Sequence, residues 1–207
     1  MKTVTDENKT REENKMTVKE IVKNMCLMDD EFMSAVLQHK ECLELVLNII
    51  LDRSDLKVKE CKTQYVISSL YGRSIRLDVY AEDINGKLYD IEVQNIVSDK
   101  EIKRIRFYSA LMDANYLNKG EETGMLPETY VIFILGKDMY TDGLPIYHIE
   151  RIAKETGKPF DDGLHIILVN SQVQNKTALG KLMSDFHCRE PKEMNYKILS
   201  EQANRYK

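Results

Sequence analysis

The sequence lacks any apolar run long enough to cross a bilayer: stretches such as "VIFIL", Val131 to Leu135, are only a few residues long, against the roughly 18 or more that a membrane helix needs. Its cysteines lack a pattern. Cys26, Cys42, Cys61 and Cys188 stand far apart with no CxxC pair, which argues against a disulfide framework and against structural zinc, and leaves buried thiols as the default. The histidines His39, His148, His165 and His187 form no HExxH or similar helical pair, so each reads as a surface or core residue rather than a ligand. No internal repeat, low-complexity linker, helix-turn-helix or zinc finger is recognisable, so nothing in the chain announces which base sequence it would read. Positive charge is not in excess either. With 30 Lys and Arg against 34 Asp and Glu, the net charge is −4, which excludes coating nucleic acid by bulk charge but leaves room for a local basic patch. The opening "MKTVTDENKTREENKM" carries charges where a signal peptide needs an apolar core, so the expected location is the cytoplasm.

What is present is a 207-residue chain with 43% apolar and 31% charged residues, the composition of a soluble globular protein. The polar, aperiodic start predicts a flexible tail over residues 1–15 and one domain over 16–207. "MDDEFMSAVL" predicts a helix start with Asp29 or Asp30 as N-cap. "KECLELVLNIILDR", Lys40 to Arg53, predicts a largely buried helix whose Glu41, Glu44, Asn48 and Asp52 form one polar stripe. After "KVKECKTQYVI" comes "RLDVYAEDINGKLYDIEVQ", then "DKEIKRIRFYSALMDANYLNKG". The latter predicts a long helix with Ile102, Ile105, Tyr108 and Met112 inward and Gly120 as its stop. "ETYVIFIL", "LPIYHIERI" and "LHIILVN" predict strands, the last two joined by a loop through "ETGKPFDDG"; "TALGKLMSDFH" and "KEMNYKILSEQANRYK" predict terminal helices. The order implies an α/β or α+β sheet covered by helices.

The hairpin poses the chemical question, because acids alternate with Leu, Val, Tyr and Ile on both sides of Asn85-Gly86. Along the first strand Leu77, Val79 and Ala81 oppose Arg76, Asp78, Tyr80 and Glu82; along the second, Tyr89, Ile91 and Val93 oppose Leu88, Asp90, Glu92 and Gln94. A two-residue turn would put Asp78 and Glu92 on opposite faces. A three-residue loop, Ile84-Asn85-Gly86, with Gly86 left-handed, pairs Asp83 with Lys87 and sets Asp78 directly against Glu92. A charged, solvated hairpin face is the ordinary reading of such alternation. Two carboxylates placed opposite each other weigh the other way, since they repel unless a positive charge sits between them. Arg76 and Lys87 are near enough in sequence to supply part of it.

A strand aspartate, a short hairpin and then Glu-x-Gln resembles the PD-(D/E)xK nuclease superfamily, specifically its transposase-like, recombination-promoting branch, in which Gln can replace the usual Lys. "TQYVISSLYGRSIRLDVYAEDINGKLYDIEVQ", "RIRFYSALMDA", "LPETYVIFIL" and "GLPIYHIERI" resemble this branch in the same order, over about residues 30 to 207. The resemblance implies a restriction-endonuclease-like α/β core, a mixed sheet flanked by helices with a helical C-terminal segment. It implies a metal-dependent DNA endonuclease in which Asp78, Glu92 and the Val93 carbonyl hold Mg²⁺, with Mn²⁺ as a substitute. Gln94 takes the motif's final position, where an amide can orient water but brings no charge. A helix acid, Glu41 first and Glu44 second, would complete the catalytic set, and Lys100, Lys103, Arg104 and Arg106 would contact DNA phosphates. Joining two DNA ends would bring two copies together as a homodimer. The alternative is a nuclease-like domain with weak or lost catalysis that binds DNA or a protein.

Overall fold

The computed structural model describes residues 17–68 and 72–207; the expected tail over 1–15 lies outside them. Six strands form one mixed sheet in the order β1-β2-β3-β4-β8-β5. These are β1 (Val58–Ile67), β2 (Ile75–Asp83), β3 (Leu88–Gln94), β4 (Thr129–Leu135), β5 (Ile146–Ile149) and β8 (Leu164–Asn170). β1, β2 and β3 are antiparallel neighbours, β3, β4 and β8 run parallel, and β5 closes the far edge antiparallel to β8. Among the described residues six α-helices accompany the sheet: α1 (Val18–Asn24), α2 (Asp30–Leu37), α3 (Lys40–Ile50), α4 (Asp99–Tyr116), α5 (Ala178–His187) and α6 (Lys197–Tyr206). No helix among them is long and apolar enough to cross a membrane.

Two cores separate the layers. On one face α2, α3, α5 and α6 bury Phe32, Val36, Leu43, Leu47, Leu182, Phe186 and Leu199 against Val79, Ile91, Ile132, Ile134 and Val169. On the other, α4 covers Leu88, Val131, Phe133 and Leu135 with Ile105, Tyr108 and Met112. A sheet covered on both faces explains why β4 reads as an unbroken apolar run instead of an alternating one. α4 departs from expectation at both ends. It closes at Tyr116, with Gly120 (φ +95°) in the turn beyond, and Ile102 is 53% exposed, lining a surface groove with Leu164 and Ile166. "LPIYHIERI" is likewise shorter than expected. Only Ile146–Ile149 joins the sheet, while β6 (Ile152–Ala153), which starts on the last residue of that stretch, pairs with β7 (Lys158–Pro159), in the expected loop, as a small separate hairpin. All four cysteines are unpaired; burial holds for Cys42, and the other three are half-buried.

The hairpin has the register that its residue parity demands. Asp83 N–H donates to Lys87 O at 3.0 Å, Gly86 N–H to Asp83 O at 3.1 Å, and Gly86 sits at φ +80°. The Asp83 carboxylate fixes the loop by accepting from Asn85 N, Lys87 N and the Tyr89 hydroxyl. From this turn the ladder pairs Glu82 with Leu88 through to Val79 with Ile91. At the other end of β3, Gly136 N–H donates to Gln94 O at 2.8 Å. A Cβ on Gly136 would stand 2.9 Å from Asn95 Cα and O, so only glycine lets the two chains approach here.

Candidate active site

Beyond Val79 and Ile91 the β2–β3 ladder stops, and side chains take over the amides it would have paired. Asp78 N–H donates to Glu92 Oε1 at 2.8 Å, and Val93 N–H donates to Asp78 Oδ2 at 3.3 Å. The two carboxylates thus insert between the strands where they part. The N–H and C=O of a strand residue share one edge, so the Val93 carbonyl faces this same opening. The strand also changes sides here: Val79 and Ala81 pack in the core under α2 and α3, whereas Leu77 and Ile75 pack in the core with α4. Its neighbour makes the matching twist. Gln64, in the middle of β1, has φ +51°, and Lys62 and Tyr65 on either side of it both meet Tyr80.

Helix α2 locks the twisted segment. Ser34, 3% exposed, donates its hydroxyl to Asp78 O at 3.1 Å and receives the Gln64 amide at 2.8 Å. Asp30 lies one turn earlier on α2, at i, i−4 from Ser34, so it faces the same opening; it pairs with Arg76 at 3.7 Å.

The three strand acids are not solvated surface groups. Asp78 is 4% exposed, and Asp90 and Glu92 are fully buried. Arg104 on α4 supplies a counter-charge, its Nη2 2.8 Å from Glu92 Oε2 and its guanidinium 4.9 Å from the Tyr108 ring centre. One arginine does not compensate three acids. Burial first, and then the charge of Asp30, raises the Asp78 pKa to about 6, against the Val93 amide, Arg104 and Arg76. Burial and the charge of Asp78 raise Glu92 to about 8, against the Asp78 amide and Arg104. Asp90 is pushed well above the carboxylate range by burial and by Glu92 and Asp78. Neither Asp90 oxygen meets a hydrogen-bond donor among the described residues. A buried acid without a donor is costly unless it is protonated or meets a positive charge.

Of the residues expected from sequence, the structure brings Asp78, Glu92 and Val93 together. Gln94 follows, half-buried, at the end of β3. Glu41 is not brought to them: it is exposed on α3, where its charge acts on Lys57. Glu44 is committed to the start of β1, accepting from Val58 N–H at 2.9 Å and Lys57 Nζ at 2.8 Å. The helix acid whose charge reaches both Asp78 and Glu92 is Asp30. Its available signal is the polar i, i+4 pair Asp30 and Ser34, which with the exposed Glu31 makes up the polar residues of α2. Asp90 was legible as a face-mate of Glu92 but not as an unpaired buried acid. The four α4 cations divide. Lys100, Lys103 and Arg104 line a groove of about 600 Å³ with Arg73, Phe107 and Tyr108, whereas Arg106 lines the neighbouring groove with Asp113 and Arg151.

The donors fit a hard divalent cation as two carboxylates and a main-chain carbonyl. Among the described residues no group of three or more His, Cys, Asp or Glu side chains is arranged to hold a metal, so the remaining positions would fall to water or substrate. Comparison with curated proteins finds no match. The family model for PD-(D/E)XK nuclease family transposases matches residues 32–184, from α2 through most of α5 and across the whole sheet. The chain belongs to the PD-(D/E)XK nuclease family transposases, and its six-stranded mixed sheet flanked by helices is the restriction-endonuclease-like fold of that family.

Proposed function

We propose that the protein is a Mg²⁺-dependent DNA endonuclease of the recombination-promoting type, with Mn²⁺ able to substitute. The observation that carries this reading is the parting of β2 and β3 at a buried Asp78 and Glu92, with a third buried acid, Asp90, that meets no donor among the described residues. A fold spends stability to keep such acids buried, and the excess negative charge is what a cation would neutralise. Asp78, Glu92 and the Val93 carbonyl would hold the metal, which would acidify a bound water and offset charge on the scissile phosphate. The Gln94 amide orients the attacking water, and Asp30, rather than Glu41, acts as the helix acid beside it. Lys100 and Lys103 contact the DNA backbone, and Arg106 extends that contact along α4. Because transposition joins two ends, two copies act together as a homodimer.

A second reading, a DNA-binding or protein-binding domain that no longer cuts, is favoured by one feature: Gln94 brings no charge, and both Glu92 oxygens are already engaged, by Asp78 N–H and Arg104. Plasmid cleavage in Mg²⁺ or Mn²⁺ separates the two. The nuclease reading expects nicking that falls by roughly 100-fold or more in Asp78→Ala. Equal background from wild type and Asp78→Ala, with DNA binding intact, would establish the second.

A further inference from the structure

Arg104 belongs to two places at once. On one side its guanidinium holds Glu92 Oε2 at 2.8 Å, with the Glu92 side chain fully buried and its own 32% exposed. On the other it lines the groove with Arg73, Lys100, Lys103 and Phe107. On α4, residues 100, 103, 104 and 107 follow i, i+3, i+4 and i+7, so they form one continuous stripe. The remaining acid of that groove is Glu101, whose carboxylate already accepts from Ser98 N–H and Ser98 Oγ at the start of α4. The groove therefore offers cations and an aromatic edge, and its one carboxylate is tied through Oε2 to the start of α4.

This arrangement sets a condition on the neighbouring acids. Glu92 Oε1 already accepts from Asp78 N–H, and a cation that uses Oε2 meets the Arg104 guanidinium there. Two positive centres at that distance repel strongly in a buried setting, and a displaced guanidinium then needs another anion. The groove it lines holds a single acid, Glu101, bound at Oε2 by the helix cap, whereas a DNA backbone phosphate lying there would supply a free anion in the paired geometry that arginine favours.

Resting on the nuclease reading above, we propose that Arg104 is an exchange residue: it pairs with Glu92 until a divalent cation takes that carboxylate, and then pairs with a DNA phosphate in the Arg73–Lys100–Lys103 groove. Cation and DNA thus bind with positive cooperativity through this one side chain. Linkage makes the coupling reciprocal, and a single partner exchange should change each affinity roughly tenfold.

The test measures binding and not cleavage, at one fixed salt concentration because phosphate contacts are salt-dependent. Anisotropy of a labelled duplex is followed with and without Ca²⁺, an oxygen-seeking cation, and Ca²⁺ is titrated calorimetrically with and without the duplex. In wild type, Ca²⁺ tightens DNA binding roughly tenfold and DNA tightens Ca²⁺ binding by the same factor. In Arg104→Gln, Ca²⁺ binds at least as tightly without DNA, since its competitor is gone, and DNA affinity no longer responds to Ca²⁺. Arg104→Lys, which keeps the charge without the planar fork, retains part of the response. Lys103→Gln weakens DNA binding at every Ca²⁺ concentration but keeps the factor. Independent binding of the two ligands by wild type, or an undiminished factor in Arg104→Gln, overturns the exchange while leaving the nuclease reading intact. Absence of Ca²⁺ binding by wild type overturns both.

Discussion

Asp90 is fully buried, meets no hydrogen-bond donor among the described residues, and stands close enough to Glu92 and Asp78 to feel their charge. Each of the three carboxyls has its pKa raised above the unfolded value, so the folded chain binds more protons than the unfolded one. Their contribution to stability is therefore complete at low pH and is lost as pH rises through the raised values. Without divalent cation, the melting temperature should fall from about pH 5 to about pH 8 as Asp78, raised to about 6, and Glu92, raised to about 8, are forced to ionise. Asp78→Asn keeps an acceptor for Val93 N–H and removes one of the charges. It should stabilise the metal-free protein at pH 8 by on the order of 1–2 kcal/mol, a few degrees in Tm, and flatten the pH dependence. A wild-type protein that becomes more stable between pH 5 and pH 8 would show that these groups are solvated. Residue types and alternation revealed the opposition of Asp78 and Glu92, but not the burial. Alternation reads the same whether water or a helix covers the polar face, and Arg104, Tyr108 and the rest of α4 arrive from beyond β3.

The elements position the site through a small number of departures from regularity. Parity of the apolar residues on either side of Asn85-Gly86 was enough to exclude a two-residue turn, so the hairpin register was legible. The twist at Gln64, with φ +51°, was not: its cost is met by the Ser34–Gln64 hydrogen bond from a distant helix, which no local pattern announces. The same limit explains Glu41 and Asp30. Both sit on apolar helices with a polar stripe, and which stripe meets the sheet opening depends on how α2 and α3 cross it. Gly136 gives an element-scale test. Gly136→Ala would drive its Cβ against Asn95, splaying β4 from the end of β3; urea unfolding should show a loss of about 1–3 kcal/mol, with Mn²⁺ affinity reduced in step because Gln94 and Val93 move. Full stability in Gly136→Ala would show that this end of β3 tolerates displacement. Asn48 offers a second case, since its amide spans Leu56 N–H and C=O to fix the start of β1. Asn48→Ala should cost about 1–2 kcal/mol while leaving metal affinity unchanged, because the site lies at the opposite end of the hairpin.

At the scale of the whole molecule, helices cover both faces of the sheet, and the candidate site lies where β2 leaves β3. The apolar runs of β4 and β8 and the amphipathic helices made the layered class legible. The lengths of β5 and α4 were not, because an apolar pattern continues past the point where a sheet partner ends. On the proposed reading, metal and substrate would meet where β2 leaves β3, so the most direct test is thermal melting at pH 8 of wild type and of Asp78→Asn/Glu92→Gln, each with and without Mn²⁺. At about 100 times its dissociation constant a cation bound only by the folded state adds about 2.7 kcal/mol. Wild type should therefore melt several degrees higher with Mn²⁺, and the double variant should not respond. Identical Mn²⁺ responses in both proteins, or none in wild type, would contradict a metal site between Asp78 and Glu92.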